Sequence, residues 1–277
     1  RSLCDWSSDV CSSDLMCLPL GMSKNTLSTD DARDQHGDPA GILEQANEVF
    51  EDMVTLRRDL HRWPEISNHL PRTRERVLEA LEGLPLDITL HDNTSGIAAM
   101  LTGGKPGPTV LLRADMDALP MPEDTGLDFK SNVENAMHAC GHDTHTSMLM
   151  GAARILSSRQ ADIPGRVLFM FQPGEEGYNG ASEMLAEGLL DVGTDSPVTG
   201  AFAIHAASNI PGGFLGLKPG TIMASSDTMT ITVKGKGGHA SAPHFTMDPV
   251  PVACEIVQAL QTLVTRRIDV FDPGVIT

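Results

Sequence analysis

The run Met137-His138-Ala139-Cys140-Gly141-His142-Asp143-Thr144-His145 sets a thiol and three imidazoles close together, and these are donors that borderline divalent ions accept. Its Cys-Gly-His centre lets sulfur and nitrogen turn toward one point from a tight loop. Upstream lie the paired carboxylates Asp115 and Asp117; downstream, Pro173-Gly174-Glu175-Glu176-Gly177 puts two adjacent acids where an apolar run ends. Cys140, His142, Asp115, Asp117 and Glu176 are more donors than one tetrahedral ion takes. Such a surplus points to two ions sharing a bridging ligand at roughly 3.5–4 Å. Glu175 is then spare, and a carboxylate beside an ion that acidifies water is placed to act as general base. The chemistry so implied is hydrolysis.

Each residue taken singly has a plainer reading. Cys140 alone is a small buried hydrophobe, His205 after an apolar strand is a satisfied core histidine, His145 faces solvent from a first helical turn, and Glu175-Glu176 is a solvated bend. Their joint placement at the ends of apolar runs favours the metal site.

Several elements must position these side chains. Apolar residues recur at helical spacing from Ala40 to Leu60, and Pro64 stops that helix. A second helix is expected from Thr73 to Glu82 and a third from about Thr146 to Ser158. Short apolar, β-branched runs at Thr109–Ala114, Gly165–Phe171 and Gly200–Ile204 read as buried strands. Strands alternating with helices give an α/β domain with a mixed, mostly parallel central sheet flanked by helices, whose ligands sit beyond the carboxyl ends of the strands. Asp115 and Asp117 follow the first of these strands, Glu175 and Glu176 the second, and His205 the third. Beyond residue 224 the pattern changes: Thr228–Val233 alternates as a strand, and Pro249–Thr265 carries one apolar helical face. The expected organisation is a tail over 1–39, a catalytic segment over 40–224 and part of a smaller α+β lid over 225–277.

With 20 Lys+Arg against 37 Asp+Glu in 277 residues, the net charge of -17 argues against nucleic-acid or anionic-membrane partners. No apolar run reaches the roughly 18–20 residues that span a bilayer, and no signal-peptide layout is evident, so the expected location is cytoplasmic. Three of the 5 cysteines crowd the extreme N-terminus, and a disulfide framework is not expected. The segment Arg1–Leu15 resembles translated sequencing-adapter read-through, which makes Met22 the expected native start.

Four motifs in order carry a family resemblance: Arg113-Ala114-Asp115-Met116-Asp117-Ala118-Leu119-Pro120; Met137 through His145; Gln172-Pro173-Gly174-Glu175-Glu176-Gly177; and Gly235-Lys236-Gly237-Gly238-His239-Ala240 with Pro243-His244 and Asp248-Pro249. Together they resemble the dinuclear amidohydrolases of the carboxypeptidase G and aminoacylase superfamily. The nearest branch holds hippurate hydrolase, N-acyl-L-amino-acid amidohydrolase and the auxin-conjugate hydrolases. The resemblance runs from about residue 53 to 277 and implies a zinc-exopeptidase-like fold.

It also implies roles. Cys140 would bridge two divalent ions (zinc, manganese or cobalt), His142, Glu176 and His205 would complete the ligands, and Glu175 would be the base. Asp117 would orient an imidazole. Asp115 stands where the wider superfamily has a ligating His, and its own status stays open, as do the roles of His138 and His145. His239, in the lid, would stabilise the oxyanion, often across a dimer. The implied substrate is an N-acyl amino acid, and the implied full-length assembly is a homodimer through the lid. Members run on for roughly another hundred residues, an ordinary domain's worth, so this chain is expected to be C-terminally truncated, to lack a final ligating His, to bind metal weakly and to show little activity. The rival readings are a dipeptidase or aminopeptidase of the same superfamily, or an inactive metal-binding relative.

Overall fold

The computed structural model describes residues 39–277 apart from 194, 224–225 and 272–273. The expected tail lies outside the described residues except for Pro39, which opens the first helix. The chain divides into two compact units, one ending at Ser208 and the other spanning Asn209–Thr277.

In the first unit, α1 (Pro39–Arg62) buries Met53, Leu56 and Leu60, which recur every three or four residues on one face. The helix ends two residues before Pro64, whose ring forbids another turn. α2 (Pro71–Leu81) starts on a proline whose missing N–H would have had no partner there anyway, and it buries Thr73, Val77 and Leu81 at i, i+4 and i+8. Next come β1 (Asp87–Leu90), β2 (Ile97–Thr102), β3 (Lys105–Asp115), α3 (His142–Ser158), β4 (Pro164–Gln172), α4 (Gly180–Ala186) and β5 (Val198–Ala203).

The strands form one sheet in the order β1-β2-β4-β3-β5. β3 runs parallel to both β4 and β5, while β2 runs antiparallel to β4 and to β1. Only β2 is therefore reversed, as a mixed, mostly parallel sheet requires. Successive strand residues take opposite faces. Ile97, Ala99 and Leu101 of β2 with Val167, Phe169 and Phe171 of β4 pack against α1, α2 and α3. Ala98, Leu168 and Met170 pack on the other side against Met184 of α4 and Leu189. Helices thus cover both faces. Because β3, β4 and β5 are parallel, Asp115, Gln172 and Ala203 end them on one rim.

Two strands were not expected from the sequence. β1 alternates polar and apolar residues over only four positions and is exposed at all of them, too short a run to stand out, and β2 contains two alanines, which signal strand weakly. α3 begins at His142, one turn ahead of the expected Thr146, so the histidine-rich loop is itself a helix start.

In the unit Asn209–Thr277, α5 (Pro249–Arg267) is capped by Asp248, whose carboxylate accepts the Val250 N–H at 2.9 Å. The strand expected over 228–233 is not formed among the described residues. A polar/apolar alternation becomes a strand only when a neighbour pairs with it, and the bridge Lys236–Met247 is isolated. Among the described residues no helix is long and apolar enough to cross a membrane.

Candidate metal centre

The site is built on the rim where β3, β4 and β5 end. Gly141 precedes α3 with φ at 82°, and a Cβ there would stand 3.3 Å from the Ala206 methyl carbon. Glycine meets both demands: it has no Cβ and adopts the left-handed region freely. The sharp bend presents Cys140 on one side and His142, the first residue of α3, on the other. After β4 the chain turns through Gly174, φ 61°, where an added Cβ would strike Asn68 Oδ1. That turn carries Glu175 and Glu176.

Three donor groups have their ligand atoms within 4.8 Å of one another: Cys140, His142 and His205; Asp115, His142 and His145; and His142, Glu175 and Glu176. His142 belongs to all three and is 1% exposed. Its Nε2 lies 3.8 Å from a carboxylate oxygen of each glutamate and 3.5 Å from Asp115 Oδ2. Neither that nitrogen nor Glu176 Oε1 has a hydrogen-bond partner, though both are buried. Buried polar atoms are rarely left so. A cation between them resolves the deficit, and the sulfur, imidazole and carboxylate donors suit a zinc-like or manganese-like ion.

His205 Nε2 sits 3.4 Å from Cys140 Sγ. Its Nδ1 is 2.7 Å from the Ala206 carbonyl, which can only accept, so the proton is on Nδ1 and Nε2 is free to ligate. Burial, joined by the charge of Glu176, pushes the Cys140 thiol up to about 12. The thiolate therefore needs a neighbouring cation to form.

The two aspartates behave differently. Asp115 is buried, and burial alone would raise its pKa. The hydrogen bond from His145 and the charges of His142 and Arg113 outweigh that and hold it at about 2. Its Oδ1 is 2.6 Å from His145 Nδ1, and its Oδ2 is 2.7 Å from Arg113 Nη1. His145 in turn accepts the Ala206 N–H on Nε2 at 2.7 Å, which fixes its tautomer and occupies both nitrogens. His145 is 3% exposed, so it does not face solvent. Asp117 spreads its carboxylate over the two backbone N–H groups of Glu175 and Glu176, each at 3.0 Å, and lies 3.4 Å from His142 Nδ1.

Around His142, burial would lower the pKa, but the Asp117 carboxylate 3.4 Å from Nδ1 and the charges of Asp115 and Glu176 raise it. Glu175 is raised by burial and by the charge of Glu176. Its side chain is 42% exposed against 22% for Glu176.

The structure thus gathers Cys140, His142, Glu175, Glu176 and His205. His138, 4% exposed, belongs to none of the donor groups found among the described residues, and burial lowers it to about 4. His239 belongs to the Asn209–Thr277 unit, where its Nδ1 takes the Ser241 N–H at 3.2 Å. Sequence reasoning missed Arg113 as a partner of Asp115. It also missed Asp143, fully buried beside His142 and 2.6 Å from His61 Nδ1. The one available signal was the helical spacing of Arg57 and His61, which puts both on one face of α1.

The family model for peptidase family M20/M25/M40 matches residues 111–274. The chain is 40% identical over 239 residues to thermostable carboxypeptidase 1 of Saccharolobus solfataricus, covering 85% of this chain and 60% of that protein. Against N-acetylcysteine deacetylase of Bacillus subtilis the identity is 39% over 226 residues, covering 81% and 58%. Among solved structures, the Bacillus subtilis YXEP protein, described as a dinuclear metal binding peptidase from the M20 family, superposes with a TM-score of 0.56 at 37% identity, covering 60% of this chain and 45% of that one. The chain therefore spans 58% to 60% of the length of these two curated relatives.

Proposed function

The chain belongs to peptidase family M20/M25/M40, and from that premise we propose that it hydrolyses the amide bond of N-acylated amino acids with two divalent ions held at the β3–β4–β5 rim. Cys140 would bridge the ions, with His142, Glu176 and His205 as further ligands. Bound there, such ions polarise a carbonyl oxygen and bring the pKa of water toward about 7. Glu175 takes a proton from the attacking water and passes it to the departing amine. Asp117 holds the Glu175–Glu176 turn through its two amide N–H groups, so the base and the ligand keep their spacing. Asp115, engaged by Arg113 and His145, braces the rim rather than ligating. His239 would steady the oxyanion from the lid, within a homodimer of the full-length protein.

One asymmetry carries this reading. His142 Nε2 is equidistant from the two glutamates at 3.8 Å, yet Glu176 Oε1 is buried without a protein partner while Glu175 is the more exposed and has a raised pKa. The first suits a ligand and the second a base.

The carboxypeptidase name of one relative supports a second reading, peptide hydrolysis at a free carboxyl end. Both reactions release an amino acid bearing a free carboxylate. They differ in what lies on the acyl side. Amine release from hippurate, from an N-acetyl amino acid and from a simple dipeptide, measured alongside bound metal, separates them. For the full-length protein we expect turnover of the N-acyl substrates in proportion to metal content. Dipeptide cleavage with the N-acyl substrates untouched would overturn the proposal.

A further inference from the structure

We propose that His61 is a positioning residue for the metal centre: by clamping Asp143 it fixes the helix start that presents His142. The inference rests on the reading of His142 as a ligand.

His61 lies in the last turn of α1 and is 2% exposed. Its Nδ1 is 2.6 Å from Asp143 Oδ2, and its Nε2 is 3.2 Å from Glu123 Oε1. Carboxylates only accept, so both ring nitrogens carry protons and the ring is an imidazolium. Burial would lower its pKa, but the Asp143 hydrogen bond and charge raise it. Arg57, one turn earlier on the same face, puts Nε 2.9 Å from the same Asp143 oxygen. Two cations thus meet two carboxylates, and the buried group is neutral overall.

Each carboxylate also holds backbone. Glu123 accepts the Ser131 N–H at 2.6 Å, and Asp143 accepts the Thr144 N–H at 2.8 Å on its other oxygen. The Asp143 carbonyl takes the Ser147 hydroxyl at 2.8 Å. Asp143 is the second residue of α3, directly after His142. Gly141, on the other side of His142, offers no side chain to hold the turn, and α3 has no side-chain N-cap. Beside the Asp117 carboxylate at Nδ1, the direction of His142 is therefore set from behind, by α1 through Asp143. An apolar contact would fill the same space more cheaply than a desolvated ion network. What the network adds is a fixed direction.

The test is calorimetric titration of the metal-stripped protein with Zn²⁺ and with Mn²⁺, beside thermal melts of the same samples. His61→Phe keeps a ring against Phe129, whose centroid is 5.5 Å away, and deletes both hydrogen bonds. Affinity should fall about 10–100-fold, the usual loss when an outer partner of a ligand is removed. His61→Asn, which can still donate toward Asp143, should recover part of it. Leu60→Ala, buried in the adjacent core, should lower the melting temperature and leave affinity unchanged. A folded His61→Phe with wild-type affinity overturns the inference, and should that variant fail to fold, His61→Leu, which likewise removes both donors, is held to the same criterion. An affinity loss equal in Leu60→Ala overturns it too. Wild-type protein that takes up neither ion instead overturns the proposed metal centre, which is a distinguishable failure.

Discussion

Two pairs of acids stand at the ends of neighbouring strands, Asp115 and Asp117 at the close of β3 and Glu175 and Glu176 after β4, and they have been given opposite surroundings. Both aspartates are 1% exposed; three of their four carboxylate oxygens accept a hydrogen bond from an imidazole or a backbone N–H, and the fourth, Asp115 Oδ2, has no hydrogen bond but is ion-paired with the Arg113 guanidinium at 2.7 Å. The glutamates keep 42% and 22% of their side chains exposed, and one buried oxygen of Glu176 has no protein donor at all. Equal position on a sheet rim therefore does not mean equal function. A carboxylate that the protein has already satisfied is a brace; one left wanting is available to an ion or a proton.

That contrast can be broken in order of expected effect. Glu175→Gln removes the proton acceptor while keeping the side chain's size, so hydrolysis should fall about 10³-fold, within the range for a lost general base. Metal content should hold. Loss of both together would make Glu175 a ligand and erase the distinction between the two glutamates. Asp117→Asn leaves one of the two amides facing an NH₂ group instead of an oxygen, and the turn should shift. Activity should drop about 10–100-fold, with a smaller change in metal content. If Asp117→Asn empties the site while Glu176→Gln does not, the roles of brace and ligand are reversed.

The mildest test concerns Asp115 and acid. Its folded pKa of about 2 lies below the ordinary 3.8, so the stability it contributes is present above pH 3.8 and is lost as the pH falls toward 2. The shift corresponds to about 2 kcal/mol. Denaturant melts of metal-free protein should weaken by that amount between about pH 5 and 2, and Asp115→Asn should flatten the trend. An unchanged slope in the variant would show that Asp115 is not the brace described.

Much of this was legible beforehand. Apolar runs that end in acids or His205 located three strands and the rim, because a buried parallel strand must be apolar and its ligands must follow it. The Cys-Gly-His bend announced the donors. What stayed hidden had no local signal. β1 alternates over just four residues, all exposed, which is too short a run to announce a strand. The alternation over 228–233 promised a strand, yet pairing is a property of two segments and only one was in view. Beyond their helical spacing, nothing local marks Arg57 and His61 as a pair; only the docking of α1 on α3 turns them toward Asp143.

The place of β5 has a kinetic consequence. It adds to the sheet only beside β3, at the edge, and the loop that follows it brings His205 to Cys140. Contacts so distant along the chain form late, since loop closure must be met before they reward it. The ion-holding cluster should therefore be completed late on this unit's way to the native state. Cation uptake during refolding would then serve as a clock for the final strand's arrival rather than for the initial collapse.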